Sequence, residues 1–271
     1  MRSYGVMLMT GFLIGMWRIM RTCARRMQTE PEGSPRRISP DTILDVGIWV
    51  LLTGLIGARV LFVLLDLSSY VHQPAQMFKL WEGGLSLHGG LIGGIIAMLF
   101  ICRKKRLSLA VVSDLSAIVF SIAYSFGRIG CLLNGCCYGA ACALPWAVRF
   151  PSETGPGLTP PSHPIQGYAA IIHFGVFFWL NRWEKRPHRD SEMFWAYIVI
   201  YGVYRFAIEF LREGVTSTYL IPSLHLTDTH IISLVMIVAG AAGLRWVRRN
   251  RPAVQDRAFV SGLPAAGVPA A

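Results

Sequence analysis

The chain has 271 residues, of which 53% are hydrophobic and only 15% are charged, and its mean hydropathy is +0.46. A soluble domain carries about 25% charged residues, so this composition excludes an ordinary soluble enzyme and indicates that lipid is the main solvent. The net charge is +11, but the basic residues lie between apolar runs, so we expect anionic membrane lipids and no nucleic acid as partners.

Apolar runs predict an all-α, polytopic membrane protein with about seven transmembrane helices. The first run has no small-residue cleavage site after it, so we interpret it as a retained helix rather than a signal peptide. The predicted spans are Tyr4–Cys23, Ile43–Leu65, Leu85–Cys102, Leu109–Cys131, Gln166–Trp183, Glu192–Leu211 and His230–Trp246.

The loops after the first, third and fifth predicted spans are rich in Arg and Lys, as is the tail, whereas the loops between them are poor in both. The positive-inside rule therefore places the N terminus outside and the C terminus in the cytoplasm. Residues 1–250 are predicted to form one membrane-embedded domain, and residues 251–271, rich in Ala, Gly and Pro, a disordered cytoplasmic tail. The loop 132–164 contains six prolines and cannot be one helix, so we expect an irregular extracytoplasmic flap.

Ionisable residues at membrane depth usually face a partner or a watery cavity, and so mark candidate sites. Arg205, Glu209 and Arg212 share one helix face. They fit either a structural ion pair with one additional arginine or a cationic wall for a phosphate, which Arg binds bidentately. The other candidates at membrane depth are Arg59, His88 and Arg128.

His88 precedes two glycine pairs with Gly-x-x-x-Gly spacing, Gly89/Gly93 and Gly90/Gly94. This spacing lets helix backbones approach closely. The histidine is either a structural hydrogen bonder or a general base, and the glycine context favours a functional role. Arg128 lies among closely spaced glycines near the end of its predicted span. The glycines alone would fit a re-entrant turn, but such a turn would not need a guanidinium near the membrane. We expect it to bind phosphate.

These motifs resemble the bacterial prolipoprotein diacylglyceryl transferases over nearly the whole chain and in the same order. The similarity lies in Gly-Gly-x-Ser-x-His-Gly-Gly around His88, in Gly127-Arg128-Ile129-Gly130 followed by Asn134-Gly135 and Gly139, and in Tyr-Gly-x-x-Arg…Glu-Phe-x-Arg from Tyr201 to Arg212. Ser3-Tyr4-Gly5 is similar to the family's first helix, and His163-Pro164-x-Gln166-x-Tyr168 to its segment before the fifth span.

The resemblance implies transfer of the diacylglyceryl group of phosphatidylglycerol to the lipobox cysteine thiol of a preprolipoprotein, with release of glycerol 1-phosphate. It implies a bacterial plasma (inner) membrane location, a site on the extracytoplasmic side, and no metal or soluble cofactor. His88, Arg205 and Tyr4 would be catalytic or beside the chemistry. Residues implied to bind substrate or shape its site are Arg128, Asn134, Gly139, Glu209 and Arg212.

Four positions depart from the family pattern: Cys131 replaces an Asn, Cys136 a Glu, Ile165 a Ser and Ala169 a Glu. One alternative is therefore a divergent paralogue that acts on another lipid or thiol substrate. A second is a transporter or lipid-binding membrane protein without chemistry. The second would predict related repeats with paired discontinuous helices, and the sequence has no such repeat.

Four of the six cysteines cluster on the predicted outer side: Cys131, Cys136, Cys137 and Cys142. Because the outside is oxidising, a disulfide that fixes the loop is the favoured interpretation. Free packing thiols and a thiol relay are alternatives. A zinc site with His163 is disfavoured, because the spacing lacks a paired Cys-x-x-Cys signature.

Overall fold

A computed structural model describes residues 2–67, 70, 76–77, 84–152, 156–212 and 226–252. Within these ranges the regular structure is helical, and the only β pairing is in isolated bridges. The helices are α1 (Arg2–Thr29), α2 (Pro40–Leu65), α3 (Leu87–Lys104), α4 (Leu109–Asn134), α5 (Ile165–Glu184), α6 (Glu192–Glu209), a 3-10 turn (Phe210–Arg212) and α7 (Asp228–Asn250).

Six of these helices are long and apolar enough to cross a membrane, which confirms the prediction of an all-α polytopic membrane protein. The helix outside this set is α5, which carries the buried polar side chains of Gln166 and His173. Large apolar side chains are exposed along the helices, among them Phe100 at 63% and Val238 at 67%. Such surfaces are stable against lipid rather than water. All of the predicted tail beyond residue 252 lies outside the described residues.

The chain divides into two compact units, a larger one of Met1–Trp17 with Ser113–Ala271 and a smaller one of Arg18–Val112. In the smaller unit α2 and α3 pack backbone to backbone. A Cβ atom at Gly89 would lie 2.3 Å from the Gly57 carbonyl oxygen, and one at Gly93 would lie 2.4 Å from that of Thr53. The predicted close approach of helices at this glycine pair is therefore confirmed.

Arg59 of α2 binds the connection between α2 and α3. Its guanidinium donates to the backbone carbonyls of Gln76 at 2.6 Å, Met77 at 2.8 Å and Gly84 at 2.9 Å. The side chain also lies over the rings of Phe62 and Tyr70. These contacts hold the Arg59 guanidinium against three backbone carbonyls of the described residues.

In the larger unit, one end is held together by buried carboxylates. Asp114, at the start of α4, accepts hydrogen bonds from the backbone N–H groups of Ser191 at 2.7 Å and Phe194 at 2.8 Å. Ser191 is the N-cap residue of α6 and Phe194 lies in its first turn, where backbone N–H groups have no intrahelical partners. Glu192 accepts from Arg248 of α7 at 2.8 Å. This end therefore joins α4, α6 and α7.

The loop after α4 lies at the opposite end of the larger unit. As predicted, it is not one helix: beyond the end of α4 its described residues form only turns and isolated bridges, which backbone hydrogen bonds hold together. Val148 and Ser162 exchange backbone hydrogen bonds of 3.0 and 3.1 Å, and the Phe150 N–H donates to Thr159 Oγ1 at 3.0 Å. The first three residues of the predicted loop also belong to α4, which ends at Asn134. α4 ends before the first proline of the loop, Pro145, and the prolines lie in a segment held together by backbone hydrogen bonds.

Candidate active site

Arg128 is held in place by a tyrosine one turn earlier on α4. Its Nη2 atom donates to the Tyr124 hydroxyl at 2.6 Å, and its guanidinium carbon lies 4.9 Å from the centroid of the same ring. A hydrogen bond and a cation–π contact from one side chain fix the guanidinium plane. The half-buried arginine is thus oriented before any ligand arrives.

Tyr124 belongs to an aromatic cluster that sequence reasoning missed. Its hydroxyl lies 3.4 Å from the hydroxyl of Tyr204 on α6. The ring of His173, from α5, lies 4.4 Å from that of Tyr124 and 4.9 Å from that of Tyr204. His173 is fully buried, and neither ring nitrogen has a hydrogen-bond partner among the described residues. The cluster joins α4, α5 and α6 beneath Arg128.

Arg205 and Glu209 form the predicted pair on α6. Arg205 Nη1 lies 2.6 Å from Glu209 Oε2, and the glutamate side chain is almost fully buried. The second carboxylate oxygen of Glu209 accepts from the Thr227 hydroxyl at 3.4 Å, just before α7 begins. Both oxygens are therefore occupied by protein groups, and Glu209 ties Arg205 to the start of α7.

Arg212 lies on the 3-10 turn after α6, and its Nε atom is buried without a hydrogen-bond partner in the described part of the chain. Within the same ranges, neither Arg128 nor Arg212 forms an ion pair, whereas Arg205 has Glu209. These half-buried positive charges favour an anionic ligand, since charges removed from water are normally paired.

Tyr4 is placed beside the Arg128 segment by helix packing. A Cβ atom on Gly130 would lie 3.0 Å from the Tyr4 Cα atom, so the backbones of α1 and α4 are in close contact at this point. The Tyr4 side chain is 41% exposed. The first helix and Arg128 are therefore brought together as the motifs predicted.

Gly139 lies in a narrow passage between two other segments. A Cβ atom there would lie 2.6 Å from the Leu211 carbonyl oxygen and 2.9 Å from the Cβ atom of His163. Its N–H donates to the His163 carbonyl at 2.9 Å, and the next N–H, of Ala140, donates to that of Leu211 at 2.7 Å. Gly139 thus locks the loop against the residue before Arg212.

Three cysteines meet where α4 ends. The Sγ atoms of Cys131, Cys136 and Cys137 all lie within 4.8 Å of one another, and those of Cys136 and Cys137 are 3.8 Å apart. The Asn134 side chain interacts with the Cys136 thiol. The buried Gln166 side chain donates to the Cys136 carbonyl at 2.6 Å and anchors this turn to α5.

Cys137 is the acidic thiol of this cluster. A hydrogen bond from the Cys131 thiol lowers the pKa of Cys137 to about 5, even though burial acts in the opposite direction. The Cys136 thiol and the charges of Arg128 and Arg212 also lower it. Burial raises the pKa of Cys136 itself. The pKa of Cys137 therefore lies well below that of an ordinary thiol.

The disulfide favoured by the sequence is not formed: all six cysteines are free. The predicted fixing of the loop comes instead from Gln166, from the backbone bonds of Gly139 and from the aromatic stack of Tyr138 on Phe150, whose ring centroids are 5.1 Å apart. The three cysteines that meet here lack a Cys-x-x-Cys spacing in the sequence, so their spacing did not predict that they come together.

His88 belongs to the smaller unit, on the first turn of α3. The side chain is exposed, and the preceding Ser86 caps the helix by accepting from the Gly89 N–H at 3.5 Å. The structure thus brings Tyr4, Arg128, Asn134, Gly139, Arg205, Glu209 and Arg212 into one end of the larger unit, while the placement of His88 is defined within the smaller unit only.

Long apolar helices and half-buried arginines without ion pairs in the described part of the chain define a membrane protein with a candidate site for an anionic ligand. The family model described as prolipoprotein diacylglyceryl transferase matches residues 1–246. The chain belongs to the prolipoprotein diacylglyceryl transferase family. The identification from the motifs is therefore confirmed, as is the prediction that the chain is a transferase of that family.

Curated relatives carry the name phosphatidylglycerol–prolipoprotein diacylglyceryl transferase. The one from Geobacter sulfurreducens is 33% identical over 214 residues, which cover 78% of each chain. The one from Nitratidesulfovibrio vulgaris is 35% identical over 249 residues, 90% of this chain and 89% of the relative. The one from Mannheimia succiniciproducens is 33% identical over 258 residues, 94% of this chain and 92% of the relative.

Proposed function

We propose that this protein transfers the diacylglyceryl group of phosphatidylglycerol to the lipobox cysteine thiol of preprolipoproteins, the lipidation step of lipoprotein maturation. The observation that carries the proposal is the excess positive charge of Arg128 and Arg212 beside the Arg205–Glu209 pair, in a chain of this family. An anionic phospholipid headgroup would be a matching partner for these positive charges.

The proposed reaction displaces a phosphate ester at carbon. The lipobox sulfur attacks the glyceryl carbon that carries the phosphate, a carbon–sulfur bond forms, and the carbon–oxygen bond breaks. The electron pair leaves with glycerol 1-phosphate, and the thiol loses its proton. Negative charge grows on the leaving phosphate, so fixed guanidinium groups stabilise the transition state more than the ground state.

The arginines have distinct proposed roles. Arg128, oriented by Tyr124, binds the headgroup phosphate. Arg205, held by Glu209, lies beside the chemistry, and Arg212 adds charge to the same end of the larger unit. Glu209 is then a positioning residue, since both of its oxygens are taken by the protein.

The remaining residues shape the site or handle the proton. We propose that Tyr4 lines the cavity of the reacting lipid and that Asn134 and Gly139 form its loop wall. The substrate thiol must ionise, either by passing its proton to His88 or because the arginine field lowers its pKa. With His88 as the base, His88→Gln would abolish the acidic limb of the pH–rate profile. With the arginine field, that limb would remain.

We propose seven spans in residues 1–250, with the N terminus outside and the C terminus in the cytoplasm of a bacterial inner membrane. Alternation of basic loops supports this orientation. In the larger unit, the arginine site and the loop after α4 lie at one end, and the Glu192–Arg248 pair lies at the other. The site then faces the extracytoplasmic side. Labelling of single cysteines in intact spheroplasts tests the assignment: Cys142 should react with a membrane-impermeant maleimide, and a cysteine introduced at Lys185 should not.

Reconstituted transfer tests the function. The purified protein is placed in phosphatidylglycerol vesicles with a lipobox peptide, and the thioether product is measured by mass spectrometry. We expect wild type to lipidate the peptide, Arg128→Ala to lose transfer and Arg128→Lys to retain little, because a lysine cannot reproduce bidentate contacts. Arg149→Ala is the matched control, since Arg149 is an exposed arginine of the loop after α4.

The same variants are introduced into a bacterium depleted of its own transferase. Rescue by wild type and Arg149→Ala but not by Arg128→Ala supports the proposal. Unchanged lipidation by Arg128→Ala would reject Arg128 as the headgroup ligand. Failure of wild type to lipidate the peptide, despite membrane expression, would reject the proposed substrate pair.

A further inference from the structure

The thiols of Cys131, Cys136 and Cys137 form a cluster that the transfer reaction does not use. We propose that they constitute a three-thiolate binding site for one soft, zinc-type cation. The site adjoins the proposed headgroup arginines, but its test measures metal binding and does not depend on the proposed transfer activity.

The spacing of the sulfur atoms fits this class of ligand. A zinc–sulfur bond is about 2.3 Å long, so two sulfurs on one tetrahedral ion lie about 3.8 Å apart. The Cys136 and Cys137 sulfurs are already 3.8 Å apart, and all three lie within 4.8 Å of one another. A movement of about 1 Å at most, within the reach of cysteine rotamers, would bring all three to bonding distance.

The backbone brings these thiols together by an unusual conformation. Gly135 has φ +70° and Cys137 has φ +61°, both in the left-handed region. For a residue with a side chain this conformation costs about 1–2 kcal/mol. The two residues turn the chain back, so Cys136 and Cys137 face Cys131 on the last turn of α4. Gln166 holds the same turn from α5 through the Cys136 carbonyl.

The charge balance also fits. Three thiolates and one divalent cation carry a net charge of −1, and the positive charges of Arg128 and Arg212 act on the Cys137 sulfur. Surroundings without positive charge would disfavour the net charge of −1, whereas the two guanidinium groups stabilise it. Soft thiolate ligands select zinc-type or cuprous ions over magnesium and calcium. The fourth coordination position stays open to a water molecule or another ligand.

A disulfide within the cluster is the competing chemistry. Neighbouring Cα atoms are about 3.8 Å apart, below the roughly 4.4–6.8 Å usual for a disulfide, so a Cys136–Cys137 bond is disfavoured. A disulfide from Cys131 to Cys136 or to Cys137 would leave the remaining thiol of the cluster unpaired. The metal site uses all three sulfurs.

Metal content and binding test the proposal on the full-length protein. Elemental analysis of protein purified without chelator should find about one zinc per chain. After chelation, titration with Zn²⁺ should follow one-site binding, and Cd²⁺ should produce a thiolate charge-transfer band of the same stoichiometry. The triple variant Cys131→Ser/Cys136→Ser/Cys137→Ser should lose both signals, while the control Cys142→Ser should keep them, since Cys142 lies outside the cluster.

The single variant Cys137→Ser keeps the test decisive even if the triple variant misfolds. Cys137 is exposed, so Cys137→Ser should leave the fold intact. It should weaken Zn²⁺ binding by more than the roughly 10–100-fold lost with a second-shell partner. Equal Zn²⁺ affinity of wild type and Cys137→Ser would overturn the proposal. So would a disulfide between any two of these cysteines in protein taken directly from membranes.

Discussion

Tyr124 contacts Arg128 twice, through a 2.6 Å hydrogen bond from the guanidinium to its hydroxyl and through its ring at 4.9 Å. The Tyr124 side chain thus offers the half-buried arginine both a hydrogen-bond acceptor and an aromatic ring face. The arginine has little freedom left, so a bound phosphate gains its contacts without first ordering the side chain.

Tyr124→Phe separates these two contacts, because it removes the hydroxyl and keeps the ring. A hydrogen bond to a charged group contributes about 1.5–3 kcal/mol, so we expect the KM for phosphatidylglycerol to rise about tenfold or more. Initial rates over a series of lipid mole fractions in mixed micelles measure the effect. Tyr138→Phe is the control, since its stack on Phe150 needs no hydroxyl. An unchanged KM in Tyr124→Phe would show that ring contact alone orients Arg128.

Removing only one partner of the largely buried Arg205–Glu209 pair should destabilise the protein. Removing one partner of a buried pair leaves an uncompensated charge and costs about 3–5 kcal/mol. Glu209→Ala should therefore lower the free energy of unfolding by that amount. The double variant Arg205→Ala/Glu209→Ala should be less destabilised than the sum of the two single changes.

Denaturation in mixed micelles, followed by circular dichroism, measures these free energies. Lys105 and Asp45 form the control pair, because they are 2.5 Å apart but exposed by 37% and 52%. Asp45→Ala should cost at most about 1 kcal/mol. Additive effects of the Arg205 and Glu209 changes would mean that the pair contributes no coupling energy.

Much of this architecture could be predicted from local patterns. Hydropathy located the long helices, and the Gly89/Gly93 spacing predicted a close approach of another helix, since both glycines lie on one helix face. The structure shows that the partner is α2. Arg205 and Glu209 could be paired because an i, i+4 spacing fixes their face.

The rest of the site depends on contacts between distant segments. Tyr124, His173 and Tyr204 come from three helices, and no spacing within one helix predicts that their rings meet. The thiol cluster was misjudged for a related reason. It arises because α4 ends at Asn134 and Gly135 and Cys137 adopt left-handed backbone, which the cysteine spacing does not reveal.

Gly139→Ala should disrupt the loop that closes the arginine end of the larger unit. The added Cβ would lie 2.6 Å from the Leu211 carbonyl oxygen, a backbone atom that cannot rotate away. We expect lower thermal stability and loss of most transfer, because the loop and the 3-10 turn that carries Arg212 must separate. Thermal unfolding and the transfer assay measure the two effects.

Gly167→Ala is the matched control for Gly139→Ala. Gly167 lies inside α5, and no atom comes within 4 Å of a Cβ added there. Alanine has the higher helix propensity, so this variant should be neutral or more stable by up to about 1 kcal/mol. If Gly139→Ala matched the control in both assays, the close passage of the loop would have no functional consequence.

The low pKa of Cys137 predicts an unusual pH dependence of alkylation. The thiolate is the reactive form, and an ordinary cysteine has a pKa of about 8.5. The pKa of Cys137 is lowered to about 5, so the thiolate persists through neutral pH and is lost only as pH falls through about 5. Iodoacetamide should therefore label Cys137 at pH 6, whereas Cys136, whose pKa is raised, should stay unlabelled.

Quantitative mass spectrometry of metal-free protein, alkylated between pH 4 and pH 9, measures both rates. Arg212→Gln removes one of the charges that lower the pKa of Cys137, so its labelling midpoint should move to higher pH. A Cys137 midpoint near that of an ordinary thiol would contradict the proposed electrostatics of the cluster. The Arg212→Gln shift then separates two causes: a midpoint that stays low without Arg212 would leave the hydrogen bond from Cys131 as the dominant source of thiolate stability.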